Sequence, residues 1–382
     1  MREIPFGRPM IGDEERAAVM AVLNGPILVH GPRALEFERA FAAWTGARYA
    51  TSTSCCTAAL HLAYFQLGLG AGDEVIVPAQ THAATAHAVE LMGATPVFVD
   101  AEPRTGNIDL DQVEAALTPR TRAISVVHYL GMPVDMDRVN AIARPRGLFV
   151  VEDCALSLGA RYRGVHTGLL GDVGCFSFYP VKHMTTAEGG MIISRHEEVV
   201  ARIARQKALG VDRTHGERKV PGVYDVTAVG FNYRMNEIEA AIGIEQVKRL
   251  DSMGKARERN YRALHGALRE IDEIDLFETS NGIFESSYYC LSILLGPALA
   301  ERRIELVAKL NAAGVGTSVY YPKAVPQLRF YRDKYKVGAR DFPVASRISD
   351  SSIALPVGPH LGEDDMAYIA QTLKTAIREL KR

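Results

Sequence analysis

Three groups of residues in this sequence have the types and spacing to do chemistry. Lys182 stands in "FSFYPVKHMTTAEGGMI", between an apolar, strand-like run and a polar turn that ends in Gly189-Gly190. Asp153 closes "LFVVED", which puts a carboxylate at the carboxyl end of a buried strand. An acid there is costly unless something positive meets it. The third group is "TSTSCCTAALHLAYFQLG", with small hydroxyl residues at the start of a helix. A helix start turns free N–H groups and the positive dipole end outward, toward an anion. Singly, each has a plain explanation: a solvated lysine, a loop or cap acid, and N-capping by Ser54.

Together they are the parts that hold pyridoxal phosphate. The acid pairs with the pyridinium nitrogen, the helix start takes the phosphate, and the lysine, 29 positions after the acid, forms a Schiff base. A protonated ring nitrogen makes the ring an electron sink for a substrate carbanion. A nearby carboxylate keeps that proton on.

The elements that must position these residues follow from the pattern around them. "EVIVP", "TPVFVD", "AISVVH", "LFVVED", "VGCFSF" and "GMIIS" are β-branched runs bounded by turn residues and separated by helical segments. Such alternation predicts an α/β fold, a mostly parallel sheet with helices on both faces, and ligands at the carboxyl ends of its strands. "DEERAAVMAVLN" and "ALEFERAFAAWTG" have helical spacing, the second stopping at Gly46. "NEIEAAIGIEQVKRLD" is a helix that Asn236 can cap and Glu239 can box. "RERNYRALHGALREI" continues helically, "SSYYCLSILL" reads as a strand, and "ERRIELVAKLNAAGVG" and "EDDMAYIAQTLKTAIREL" as helices. The expected division is a large domain over residues 1–250, N-terminal segment included, and a smaller α+β domain over 251–382.

Composition narrows the classes further. The chain has 382 residues, 47% hydrophobic and 23% charged, enough for a large core in an ordinary soluble protein. A formal net charge of −1 gives no general attraction to nucleic acid or anionic membrane. The N-terminus lacks a signal-peptide core, and five cysteines without CxxC read as reduced thiols in a cytoplasm. No HExxH, phosphate loop or strand-following GxGxxG is present, and the histidines lack metal-ligand spacing, so neither a metal nor a nicotinamide cofactor is expected.

Three stretches carry a family resemblance: "VEDCALSLGARYRG", "GDVGCFSFYPVKHMTTAEGGMI" and "GFNYRMNEIEAAIG". The chain resembles the sugar aminotransferases of the DegT/DnrJ/EryC1/StrS family, over nearly its whole length. The resemblance implies a three-layer αβα architecture of pyridoxal-phosphate fold type I. It makes Lys182 the Schiff-base lysine, Asp153 the pyridinium partner and Ser177 a phosphate ligand. Cys56 and Thr57 align with the family's Gly-Thr pair at the helix start, and His82 with the ring that stacks on the cofactor. Asn232 resembles the asparagine that reaches the phosphate from the partner subunit, which implies a homodimer. Arg234 resembles an arginine near the donor carboxylate or substrate phosphate. The implied reaction moves an amino group from an amino acid, glutamate by resemblance, through pyridoxamine phosphate to a keto-sugar carried on a nucleotide.

Two departures fall where substrate choice is made. Leu156 stands where the family commonly has glutamine, and "YYPKAVPQL" replaces a "YP-x-x-H" stretch, leaving Lys323 in the neighbourhood. They keep open an acceptor that is a free sugar acid or a cyclitol. A sugar dehydratase on the same fold would have histidine at the lysine position, which makes the adjacent His183 a register question. "GVDRTHGERKVPGVYD", with Arg213, Arg218 and Lys219, reads as a solvated loop or as a mobile flap for an anionic substrate.

Overall fold

The computed structural model describes residues 2–212, 220 and 223–381. The segment with Arg213, Arg218 and Lys219 therefore lies outside the described residues. Among those described, strands β1 (Tyr49–Thr53), β2 (Glu74–Pro78), β3 (Thr95–Val99), β4 (Thr121–Val127), β5 (Phe149–Asp153), β8 (Val173–Ser177) and β9 (Gly190–Ser194) form one sheet. Its order is β1-β9-β8-β5-β4-β2-β3. Neighbours are parallel from β8 through β3, and β9 runs antiparallel to both β8 and β1. All six strands expected from apolar runs are present. The seventh, β1, is the hydroxyl-rich "YATST", which carries no such run.

The strands are buried on both sides, and each face has its own helices. Val75, Val151, Cys175 and Ile192 pack against α3 (Cys56–Leu67), α4 (Ala83–Glu90) and α7 (Glu197–Gln206). Ile76, Ile124 and Val150 pack against α5 (Leu110–Ala115) and α6 (Met136–Ala143). On that second face Phe176, Met191 and Ile193 meet α2 (Pro32–Thr45) and α8 (Glu237–Val247), and α1 (Asp13–Leu23) lies against α8. The architecture is the three-layer αβα arrangement. The box that caps α8 is in place, with Asn236 accepting from the Glu239 N–H at 2.9 Å. A ribbon of β6 (Arg161–Tyr162), β7 (Val165–His166) and β11 (Phe284–Glu285) stands beside the sheet.

Helix α9 (Leu250–Leu268) leads into a second antiparallel sheet, β10 (Ile274–Leu276), β12 (Leu291–Leu295) and β13 (Ser352–Leu355). The strand read over 286–295 is thus confined to its last five residues. α10 (Pro297–Ala300) and α11 (Arg303–Ala312) follow β12; α12 (Arg329–Tyr335) and α13 (Pro343–Ser351) precede β13; α14 (Glu363–Leu380) closes the chain. Leu264, Leu306, Leu310, Ile353, Ile369 and Leu373 form this unit's core. Ile4 is buried in the same core, and its N–H donates to the Gly314 carbonyl at 2.8 Å. Ile4 therefore packs with the smaller sheet, while α1 and α2 pack against α8 on the large one. A third cluster joins the two units, Tyr129 and Leu156 meeting Tyr289 and Tyr320.

Candidate active site

Alternation along β5 decides where its acids go. Val151 faces α3, so Asp153 two residues on faces the same way, at the carboxyl end of a central strand. Asp153 is buried, and it accepts from Thr85 Oγ1 at 2.8 Å and from the Ala155 N–H at 3.0 Å. Thr85 is itself 2.8 Å from Thr81 Oγ1, so Thr81 donates back along the chain of hydroxyls. These partners are neutral, and among the described residues no ion pair involves Asp153. A buried carboxylate so placed is matched to a cationic ring nitrogen.

Lys182 follows the end of β8, half-buried, its N–H bonded to the Tyr179 carbonyl at 2.9 Å. Burial pulls its ammonium below the ordinary lysine range, while Cys56, Asp153 and Cys290 act in the opposite direction. The same electrostatic neighbourhood appears from the other side. Burial first, then Asp153, pushes the Cys56 thiol well above its usual range. The imidazole next to this cluster is that of His82, exposed at the start of α4. Its Nδ1 accepts from the Ala84 N–H at 3.1 Å, and desolvation of the ring lowers its proton affinity. The His82 ring lies 5.6 Å from that of Tyr321, at 67°. Burial, then Asp153, drives the Tyr321 phenol well up, so it stays a neutral donor.

His183 and Lys182 lie in different surroundings. His183 is buried, its Nε2 3.0 Å from the Ser287 carbonyl, and desolvation and then Arg257 hold its basicity well down. Lys182, by contrast, reaches the cluster around Asp153.

The anion site is built by close packing. Ser177, the last residue of β8, is paired with Gly190, which is paired in turn with Thr53. A Cβ on Gly190 would sit 2.6 Å from the Cys55 carbonyl carbon, so only glycine lets the start of α3 approach the sheet here. That approach packs α3, whose first two residues are Cys56 and Thr57, against β8 and β9. The cap itself differs from the expected one. Cys55 Sγ accepts from the Ala58 N–H at 3.4 Å, while the Ser54 N–H is taken by the Tyr233 carbonyl at 2.7 Å. The N–H groups of helix positions one and two remain directed out of the helix, as phosphate binding requires. The residues present thus fit the group that the sequence implied.

Asn232 and Arg234 stand apart from this cluster. Phe231 and Tyr233 stack at 4.9 Å and pack on His61 of α3, so Asn232 between them points the other way and is exposed. Arg234 lines a groove with Ile27, Val29, Leu35, Lys207 and Leu209. Leu156 is buried under Tyr129 and Tyr320, its carbonyl accepting from Ser287 Oγ at 2.9 Å, and Lys323 is exposed. Sequence reasoning missed Thr85 and Tyr321. A hydroxyl three positions after His82 and the doubled tyrosine of "YYP" were the available signals.

The model of the DegT/DnrJ/EryC1/StrS aminotransferase family matches residues 9–374. The chain belongs to this family. The spore coat polysaccharide biosynthesis protein SpsC of Bacillus subtilis (strain 168) is 34% identical over 380 residues, covering 98% of this chain and 97% of that protein. Spr1654 of Streptococcus pneumoniae, solved in PMP- and PLP-forms, superposes with a TM-score of 0.93 at 28% identity, over 99% of this chain and 100% of that one. PseC of Helicobacter pylori, an aminotransferase involved in the biosynthesis of pseudoaminic acid, gives 0.91 at 25%, again over 99% and 100%. This aminotransferase is therefore a pyridoxal-phosphate-dependent enzyme of fold type I.

Proposed function

We propose that the protein transfers the amino group of L-glutamate to a nucleotide-linked keto-deoxysugar. The observation that carries this reading is the convergence of Lys182, Asp153 and the start of α3 on one face, at the carboxyl ends of the strands. In it Lys182 Nζ would bear the cofactor, Asp153 would pair with its ring nitrogen, and Cys56, Thr57 and Ser177 would hold its phosphate. His82 lies over the ring. When bound, pyridoxal phosphate supplies the electron sink that makes the donor's Cα proton removable. The amine of Lys182 would serve as the general base and acid that takes the proton from the donor's Cα and returns it to the cofactor. Water would release the donor's keto acid, and Lys182 would move the proton in the reverse sense, to the sugar carbon that takes the amino group as its carbonyl oxygen leaves as water.

Surface chemistry supports a second subunit. Ile27, Val29, Leu35 and Leu209 are exposed and line the groove that holds Arg234, and Val226 and Val229 are exposed in the segment just before Arg234. Exposed apolar residues gathered at a groove are the kind of surface that protein interfaces use. A homodimer built on it would bring the outward-pointing Asn232 to the partner's phosphate, and Arg234 toward its substrate. No described helix is long and apolar enough to cross a membrane, and the five cysteines are free; we place the enzyme in the cytoplasm.

The test is acceptor-dependent formation of 2-oxoglutarate from glutamate. Turnover with a nucleotide-linked keto-sugar supports the proposal. Turnover only with a free sugar acid or a cyclitol would replace the acceptor, and loss of water without amination would make the enzyme a dehydratase.

A further inference from the structure

Tyr289 has no role in the assignment above, yet it faces the reacting nitrogen. It stands just before β12, in the smaller unit, and its ring centroid lies 5.5 Å from Lys182 Nζ. That is within the distance at which an aromatic face attracts a cation. The residue is 3% exposed, so water does little to weaken the attraction. Its position is fixed from both ends. The phenol oxygen is 2.7 Å from Tyr320 Oη. The Tyr289 carbonyl accepts from Arg257 Nη1 at 2.9 Å, and Nη2 of the same guanidinium reaches the Lys182 carbonyl at 3.5 Å. One buried arginine thus ties the backbone of the lysine to the backbone of the ring beneath it.

We propose that Tyr289 is a positioning residue for Lys182, seating its amine and favouring the ammonium form that the lysine must adopt while it carries a proton. The proposal rests on the reading of Lys182 as the cofactor-bearing lysine. The other groups that act on the Lys182 amine are Asp153 from β5, Cys56 from α3 and Cys290 beside Tyr289. His82 at the start of α4 and His183 on the same loop feel its charge. All of them are retained in the variants below, so a difference between variants belongs to the ring.

The experiment uses cofactor-free protein and follows its capture of pyridoxal phosphate, by the visible band, as a function of pH. The neutral amine is the nucleophile, so the midpoint of the rate profile reports Lys182, and the cofactor's own titrations are common to every variant. Tyr289→Phe keeps the aromatic face and is expected to keep the wild-type midpoint. Tyr289→Leu fills the space without that face and is expected to move the midpoint down by about 0.4 to 1.5 pH units. Tyr289→Met carries the same expectation if the leucine variant does not fold. An unmoved midpoint in the leucine or methionine variant overturns the proposal. So does a phenylalanine variant that shifts as far, because the hydroxyl link to Tyr320 would then be the cause. A wild-type protein that forms no band at all overturns the Lys182 reading instead.

Discussion

At the scale of single residues, Glu152 and Asp153 show how one bond along β5 separates two uses of a carboxylate. Glu152 faces the α6 side, fully buried, and accepts from His128 Nε2 at 2.9 Å and from the N–H groups of Gly168 and Leu170 at 2.7 and 2.8 Å. His128 Nδ1 accepts from the Val134 N–H at 3.1 Å, which leaves the imidazole proton on Nε2, toward Glu152. With Cys154 nearby the trio has the outline of a metal site, but His128 and Glu152 already engage their polar atoms with each other and with backbone N–H groups. Asp153, on the other face, has two neutral donors and, among the described residues, no ion pair. Asp153→Asn is expected to bind cofactor but to lose transamination by at least about a hundredfold, the scale of removing a preorganised charge partner. Thr85→Val removes one hydrogen bond to that acid and should cost roughly 10- to 150-fold in kcat, measured on protein with full cofactor content. The sign of the Lys182 titration is also fixed. Burial disfavours its ammonium, so the rate of cofactor capture should rise with pH and level off below the ordinary lysine value of 10.5.

At the scale of elements, the site depends on how closely α3 can approach β9. Gly190 permits that approach, and Gly190→Ala should weaken cofactor affinity by displacing Cys55. Ser177→Ala should weaken it about tenfold or more, the worth of a hydrogen bond to a charged group. Cys56→Gly should change it only a few-fold, because the amide donor is kept. Equilibrium titration with pyridoxal phosphate compares the three. Much of this was legible in the sequence because the central strands are uninterrupted apolar runs and the helices have clear periods and caps. β1 was not, since "YATST" owes its burial to β9 and α2 rather than to its own hydrophobicity. Thr85 and Tyr289 were not, because their partners are 68 and 107 residues away in sequence and meet them only on folding. The Cys55 cap was not, because the Tyr233 carbonyl, from a distant segment, takes the Ser54 N–H.

For the whole molecule, the boundary at residues 250 and 251 is our assignment, with Ile4 packed across it into the smaller unit's core. The proposed dimer predicts that Lys182→Ala and Asn232→Ala, each impaired alone, regain part of the activity when mixed and allowed to exchange subunits. No regain would place Asn232 outside the partner's site. The central claim, that Lys182 bears the cofactor and exchanges it with an amino donor, is tested most directly by one spectrum. Purified protein with pyridoxal phosphate should show a visible band that L-glutamate bleaches, and Lys182→Ala should not form the band of lysine-bound cofactor. A wild-type protein without that band, or a Lys182→Ala variant that retains it, would contradict the account.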